Sequence, residues 1–275
     1  MSFPNTCRVF LVVIFVISLN GCEWNPHYQI RIETVRLESP HQIVPITKPV
    51  VAPVLYKHIA GFDVLPVEEA KEKFIAVMLP SILIARYEIE QNRKRIAKLS
   101  DKIRWTNDDS LFYFKTKSHY RAKDMSDLII KMKPLPNSIV LAQAAIESGW
   151  GKSRIFKKAN NVFGVWSFNK HEPRIAALVK RGNKRIYLRL YTDISHSVTH
   201  YFEIIGRAKS FEKLRNELSR TNDPLVLVPY LKNYSERRTA YTSQLASVIV
   251  KNGLLKYDDY ILDPTRIKIQ DQSDD

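Results

Sequence analysis

The sequence predicts a mainly α protein (α+β) with a small antiparallel β-hairpin lobe. Three observations carry that expectation. Apolar residues recur at threes and fours over long stretches between residues 67 and 251, which is the period of a helix. One stretch, 184–191 (KRIYLRLY), alternates apolar and polar with a clean period of two, which is the period of a strand. Only two cysteines occur, Cys7 and Cys22, both at the extreme N-terminus, so no disulfide or C-x2-C zinc framework organises the chain.

Composition bounds the rest. A length of 275 residues fits one or two domains. Hydrophobic residues at 45% and charged residues at 26% are ordinary for a folded protein and exclude wholesale disorder or a collagen-like chain. The charge balance is unusual: 43 Lys+Arg against 28 Asp+Glu gives +15. Such an excess implies an anionic partner, whether nucleic acid, lipid headgroups or an acidic polymer.

The elements follow in order. Residues 9–19 (VFLVVIFVISL) are an unbroken apolar run, too short for a bilayer span of roughly 20 residues. With Arg8 before it and small Gly21 after it, the run has the layout of a secretory signal over residues 1–21. Its end, Leu19-Asn20-Gly21-Cys22, resembles a bacterial lipobox. That resemblance implies cleavage before Cys22 and lipidation of Cys22, and therefore a lipid-anchored protein on the periplasmic face of a membrane. Glu23, rather than Asp, after the cysteine favours the outer membrane. The alternative is a plain signal peptide with a chance cysteine.

Residues 22–66 lack helical periodicity and are interrupted by Pro26, Pro40, Pro45, Pro49, Pro53 and Pro66, which predicts a semi-rigid tether. From 67 to 133 the pattern predicts an N-terminal helical extension. Phe74, Val77, Met78, Ile82, Ala85 and Ile89 mark a helix that Pro80 is expected to kink or divide. A less regular aromatic and basic stretch and a short helix ending at Pro134 complete the extension. Residues 134–260 are read as the body that carries the chemistry, and 261–275 as a polar tail.

Within that body, Asn137 or Ser138 is a good helix N-cap. Residues 139–146 are apolar all round except Gln143, so the helix is expected to be buried. Glu147 closes it, with Gly149 as the stop. A carboxylate at a helix C-terminus faces the negative end of the macrodipole, and burial also disfavours its charge. Both effects raise its pKa, as a general acid for glycoside cleavage requires. The plainer alternative is a glutamate that only hydrogen-bonds nearby backbone.

Residues 142–168, AQAAIESGWGKSRIFKKANNVFGVWSF, resemble the glucosaminidase domain of peptidoglycan hydrolases, glycoside hydrolase family 73, and most of all its Bax-like group. The resemblance covers residues 130–255 and rests on A-Q-x-x-x-E-S-G-W-G followed by N-N-x-F-G. It implies a lysozyme-like fold with a groove between the helical body and the β-lobe. It also implies a peptidoglycan hydrolase, an endo-β-N-acetylglucosaminidase that cleaves the glycan strand with Glu147 as general acid. Peptidoglycan glycan strands are then the partner, and no metal or organic cofactor is implied. Asn161, Phe163, Gly164 and Trp166 are expected at the sugar groove, Gly164 by letting backbone approach closely. Phe163 and Trp166 could equally be core residues.

The segment NYSERRTAYTSQL, 233–245, matches the family segment that carries an active-site tyrosine. Tyr234 is aligned to that role and Tyr241 to packing. A second carboxylate is sought in Glu172, at the entry to the hairpin, or in Glu236. Without one, the substrate's own 2-acetamido oxygen would attack the anomeric carbon. His196 and His200 share a helix face, but no accompanying ligands suggest a metal. A silent wall-binding lipoprotein on the same fold is the alternative function. Export argues against nucleic acid as the anionic partner.

Overall fold

A computed structural model describes residues 28–59, 61–181 and 184–269. The signal of residues 1–21, the lipidation candidate Cys22, residues 182–183 and residues 270–275 lie outside the described residues.

The stretch expected to be a tether is folded onto the body. It carries β1 (Tyr28–Ile30), β2 (Glu33–Arg36), β3 (Val50–Val51) and β4 (Val54–Lys57). Strand β2 runs parallel to β4, with Glu33 opposite Val54. Leu37, Ile43, Val51, Leu55, Ile59 and Phe62 from this stretch are buried in the common core. Its prolines punctuate short strands rather than stiffen a spacer, and strands of two to four residues are too short to show alternation.

Helix α1 (Val67–Leu99) runs through Pro80 without dividing. Every residue from 73 to 85 is buried, and the packing of this helix outweighs the roughly 3 kcal/mol that an interior proline costs. Helix α2 (Asn107–Tyr120) starts at a reciprocal capping box between Thr106 and Asp109. Helix α3 (Met125–Lys131) is capped by Asp124.

Helix α4 (Asn137–Ser148) has Pro136, not Asn137 or Ser138, at its N-cap. Those two side chains are committed elsewhere. The Asn137 amide donates to the Tyr257 carbonyl at 2.8 Å, and the Ser138 hydroxyl donates to Asp258 at 2.7 Å. Asp258 also accepts from the Ser138 backbone N–H at 2.7 Å, so a carboxylate 120 residues away caps the helix.

Helix α5 (Arg154–Ala159) leads to the hairpin of β5 (Arg174–Arg181) and β6 (Lys184–Arg189). They pair antiparallel, Ile175 opposite Leu188, with an irregularity between Ala176 and Lys180. Helices α6 (Ile194–Arg207), α7 (Glu212–Leu218), α8 (Pro224–Leu227) and α9 (Thr239–Lys251) follow. The segment expected to be a polar tail instead supplies β7 (Ile261–Leu262) and β8 (Ile267–Ile269). Strand β7 lies parallel to β3, and β8 antiparallel to β1. The fold is thus mainly α with a β-hairpin lobe. Helix α1, α4 and α6 pack together at its centre, with α9 against α4. Among the described residues no helix is long and apolar enough to cross a membrane.

Candidate active site

Glu147 stands in the last turn of α4, next to Ser148 and the left-handed Gly149 at φ 59°. Burial raises its carboxyl above the ordinary range. A hydrogen bond from the Tyr241 hydroxyl and the charge of Arg237 hold that rise in check. The Tyr241 hydroxyl donates to Glu147 Oε1 at 3.0 Å. Arg237 lies 5.6 Å from the centre of the Tyr241 ring.

The loop after Glu147 is tightly held. Trp150 sits at φ 56° and packs edge-on against Phe74 of α1, with ring centroids 5.5 Å apart. Gly151, at φ 78°, has no room for a side chain, since a Cβ there would meet Phe62 at 2.9 Å and Phe74 at 3.0 Å. Both glycines of E-S-G-W-G are therefore needed, the first for its backbone angle and the second for angle and contact.

Both tyrosines lie at the acid, and the one that bonds it is Tyr241. Tyr241, read as packing, touches the carboxylate. Tyr234, read as the active-site tyrosine, is partly buried and stacks on Tyr241, with rings 5.5 Å apart and 16° between planes. Burial, with the nearby charge of Glu147 added to it, pushes the Tyr234 phenol far up. Gln143, one turn before Glu147, supplied the missing signal: a polar side chain on an apolar helix face requires a polar partner.

Glu172 is drawn into a different cluster. It forms a close ion pair with Arg189, which holds its carboxyl below the ordinary range. Arg189 also contacts His200, whose Nδ1 lies 2.7 Å from the Tyr191 hydroxyl and whose pKa is pushed down to about 4 by burial and Arg189. Glu236 is exposed on the turn before α9. His196 is bonded to Asp193 at 2.9 Å rather than turned toward His200.

Of the expected groove residues, Asn161 is 1% exposed and spends its amide internally. Its Nδ2 donates to the carbonyls of Val165 and Arg189 at 2.9 and 2.8 Å, and its Oδ1 accepts from the Val165 N–H at 2.9 Å. It locks the hairpin lobe to the body and is not a sugar contact. Phe163 is buried and stacks on Tyr201 at 4.2 Å, so it too is a packing residue. Gly164 is at φ 66° with nothing within 4 Å of a built Cβ, so the backbone angle, not close approach, calls for glycine. Trp166 is 41% exposed and pairs with Phe168, 84% exposed, at 6.0 Å. Phe168 escaped the sequence reading because a lone aromatic in a loop has no periodicity.

Residues 122–254 match the profile of the glucosaminidase family, described as mannosyl-glycoprotein endo-beta-N-acetylglucosaminidase. The chain is 29% identical over 140 residues to the exo-glucosaminidase LytG of Bacillus subtilis, covering 44% of this chain and 46% of that one. It thus spans about half the length of that relative. It is 22% identical over 199 residues to protein bax of Escherichia coli, covering 67% of this chain and 70% of that one. The catalytic domain of the Listeria monocytogenes autolysin Auto is 21% identical, with 62% of this chain and 97% of that one covered and a TM-score of 0.38. The matched span contains the whole A-Q-x-x-x-E-S-G-W-G and N-N-x-F-G pattern, and over residues 122–254 the chain is similar to the glucosaminidase family.

Proposed function

We propose that the protein is a peptidoglycan hydrolase, an endo-β-N-acetylglucosaminidase with Glu147 as its general acid. The observation that carries this is the state of Glu147. It is a carboxyl at the end of a buried helix, raised by burial and held on one oxygen by Tyr241. A group kept protonated into the working range donates its proton to the glycosidic oxygen as the bond from that oxygen to the anomeric carbon breaks. The bond's electron pair leaves with the oxygen, which becomes a hydroxyl on taking the proton. Glu147 is left as a carboxylate, stabilised by Tyr241 and Arg237.

The anomeric carbon then needs a nucleophile. Because Glu172 is engaged with Arg189, the substrate's 2-acetamido oxygen is the supplier favoured here, with water opening the resulting ring. Trp166 and Phe168 offer apolar ring faces to the sugars. The excess positive charge suits an anionic wall polymer.

The leader and Cys22 support a lipid-anchored protein on the periplasmic face of the outer membrane. Five residues separate Cys22 from the start of β1, a reach of at most about 20 Å. The body then works close to its anchor.

Digestion of purified sacculi by the native chain and by Glu147→Gln tests the reaction. After borohydride reduction, new reduced N-acetylglucosamine ends from the native protein alone are expected. Reduced muramic acid ends would assign a muramidase, and anhydro ends a transglycosylase. Sacculus binding without any new ends would assign a wall-binding protein. Labelled palmitate appearing in the native chain and not in Cys22→Ser tests the anchor.

A further inference from the structure

In the middle turns of helix α4, between apolar neighbours, stands the polar side chain of Gln143, which is fully buried. An aliphatic residue there would cost nothing in desolvation, whereas a buried amide is tolerated only when its donor and acceptor are both satisfied. Both are. The Tyr201 hydroxyl of α6 donates to Gln143 Oε1. Gln143 Nε2 donates to the Tyr241 oxygen at 3.0 Å. Tyr241 in turn donates to Glu147 Oε1 at 3.0 Å. Tyr201 and Tyr241 are 2% and 1% exposed, so the chain of bonds is shielded from water.

Each link runs one way. An ionised carboxylate only accepts, so the single proton of Tyr241 points at Glu147. The Tyr241 oxygen is then free to accept, and Gln143 must present its N–H₂ to it. The Gln143 carbonyl is thereby turned toward Tyr201, whose proton closes the buried end. The reverse direction would spend the Tyr241 proton on Gln143 and draw the acid proton of Glu147 onto Oε1, pointed at a tyrosine rather than a sugar. Aromatic stacking holds both phenols in place, Phe163 against Tyr201 at 4.2 Å and Tyr234 against Tyr241 at 5.5 Å.

We propose that Gln143 and Tyr201 are positioning residues. The one-way chain from Tyr201 through Gln143 and Tyr241 commits Oε1 of Glu147 to accepting a bond, and so places the transferable proton on Oε2. This rests on Glu147 being the general acid. It assigns to Gln143, the glutamine of A-Q-x-x-x-E, a chemical task rather than a packing one, and it brings α6 into the active site.

The test uses the full chain in detergent, native and as Gln143→Met, Gln143→Glu, Tyr201→Phe and Glu147→Gln. Two readouts are taken: the pH profile of kcat and KM on sacculi, and the titration of Glu147 by NMR of protein carrying carboxyl-labelled glutamate. Gln143→Met preserves volume and is expected to lower kcat about 10-fold with KM changed less than about twofold. It should also raise the Glu147 titration by about one unit, because Tyr241 no longer donates steadily to the charged form. Tyr201→Phe moves both readouts the same way by less. Gln143→Glu, while protonated, retains one donor and one acceptor, and should recover kcat to within about threefold of native at acid pH.

A folded Gln143→Met with native kcat, native alkaline limb and native Glu147 titration overturns the proposal. Should that variant not fold, Tyr201→Phe and Gln143→Glu decide it by the same readouts. Native activity in Glu147→Gln would instead defeat the general-acid reading, while the titration would still judge the hydrogen-bond chain.

Discussion

Glu147 owes its chemistry to opposed influences of its surroundings. Burial lifts its pKa, and Tyr241 and Arg237 pull it back. A general acid must be protonated, so activity falls as pH rises through that pKa. Removing the Tyr241 donor withdraws a stabiliser of the charged form and raises the pKa. Tyr241→Phe is therefore expected to shift the alkaline limb of the kcat/KM profile to higher pH while lowering the maximal rate. A limb that stays in place would deny Tyr241 its bond to the acid. Asn161 lives under a different constraint, with three internal hydrogen bonds and a buried side chain. Asn161→Ala should cost about 1–3 kcal/mol, read from urea unfolding, because the carbonyls of Val165 and Arg189 are left unpaired.

At the scale of elements, the turn after α4 and the β-hairpin lobe do different work. Gly149 and Gly151 both have positive φ, but open space surrounds the first and Phe62 and Phe74 crowd the second. Gly149→Ala is expected to cost about 1 kcal/mol for the backbone angle alone. Gly151→Ala should cost at least about twice that and also lower kcat, since relief of the clash displaces the loop beside Glu147. Equal losses of thermal stability in the two variants would contradict this. The hairpin lobe carries Trp166 and Phe168 as exposed ring faces. Their replacement by alanine should leave the melting temperature within a degree or two. KM for sacculi should rise about 5–30-fold, as loss of about 1–2 kcal/mol of stacking implies. An unchanged KM would place the sugars elsewhere.

Across the whole molecule, α1 is the central support of the domain. Its Phe74 supports the loop after Glu147, and its Glu88 faces α6, where His196 and Asp193 act on it. Burial pushes the Glu88 carboxyl up to about 7. The folded state therefore holds a proton there that the unfolded chain releases near its ordinary carboxylate pKa. The stability this provides is present at low pH and is lost as pH rises to about 7. His196, raised by its bond to Asp193, contributes in the same direction. His200, held near 4 chiefly by burial, acts in the opposite sense up to about pH 6.5. The melting temperature is therefore expected to fall between about pH 6.5 and pH 8, and Glu88→Gln, neutral throughout, should narrow that fall without abolishing it. An identical fall in the variant would remove Glu88 from the account.

Much of the catalytic end was legible in the order of residues. The all-apolar run ending in Glu147 and a glycine encodes a buried helix with an acid at its tip. The period-two stretch encodes the hairpin. These are local signals, written within one or two turns of chain. Three things were decided only by the tertiary structure. Residues 28–66 became part of the body because β1 and β3 find partners in β8 and β7, some two hundred residues later. Pro80 stayed inside one continuous helix because its neighbours are buried on every side. Tyr241 rather than Tyr234 reached the acid because α9 packs on α4 with that residue facing Gln143 and Glu147. The physical reason is common to all three. Strand pairing, burial and hydrogen-bond partners between distant residues depend on how elements meet in space, and local periodicity carries no record of that meeting.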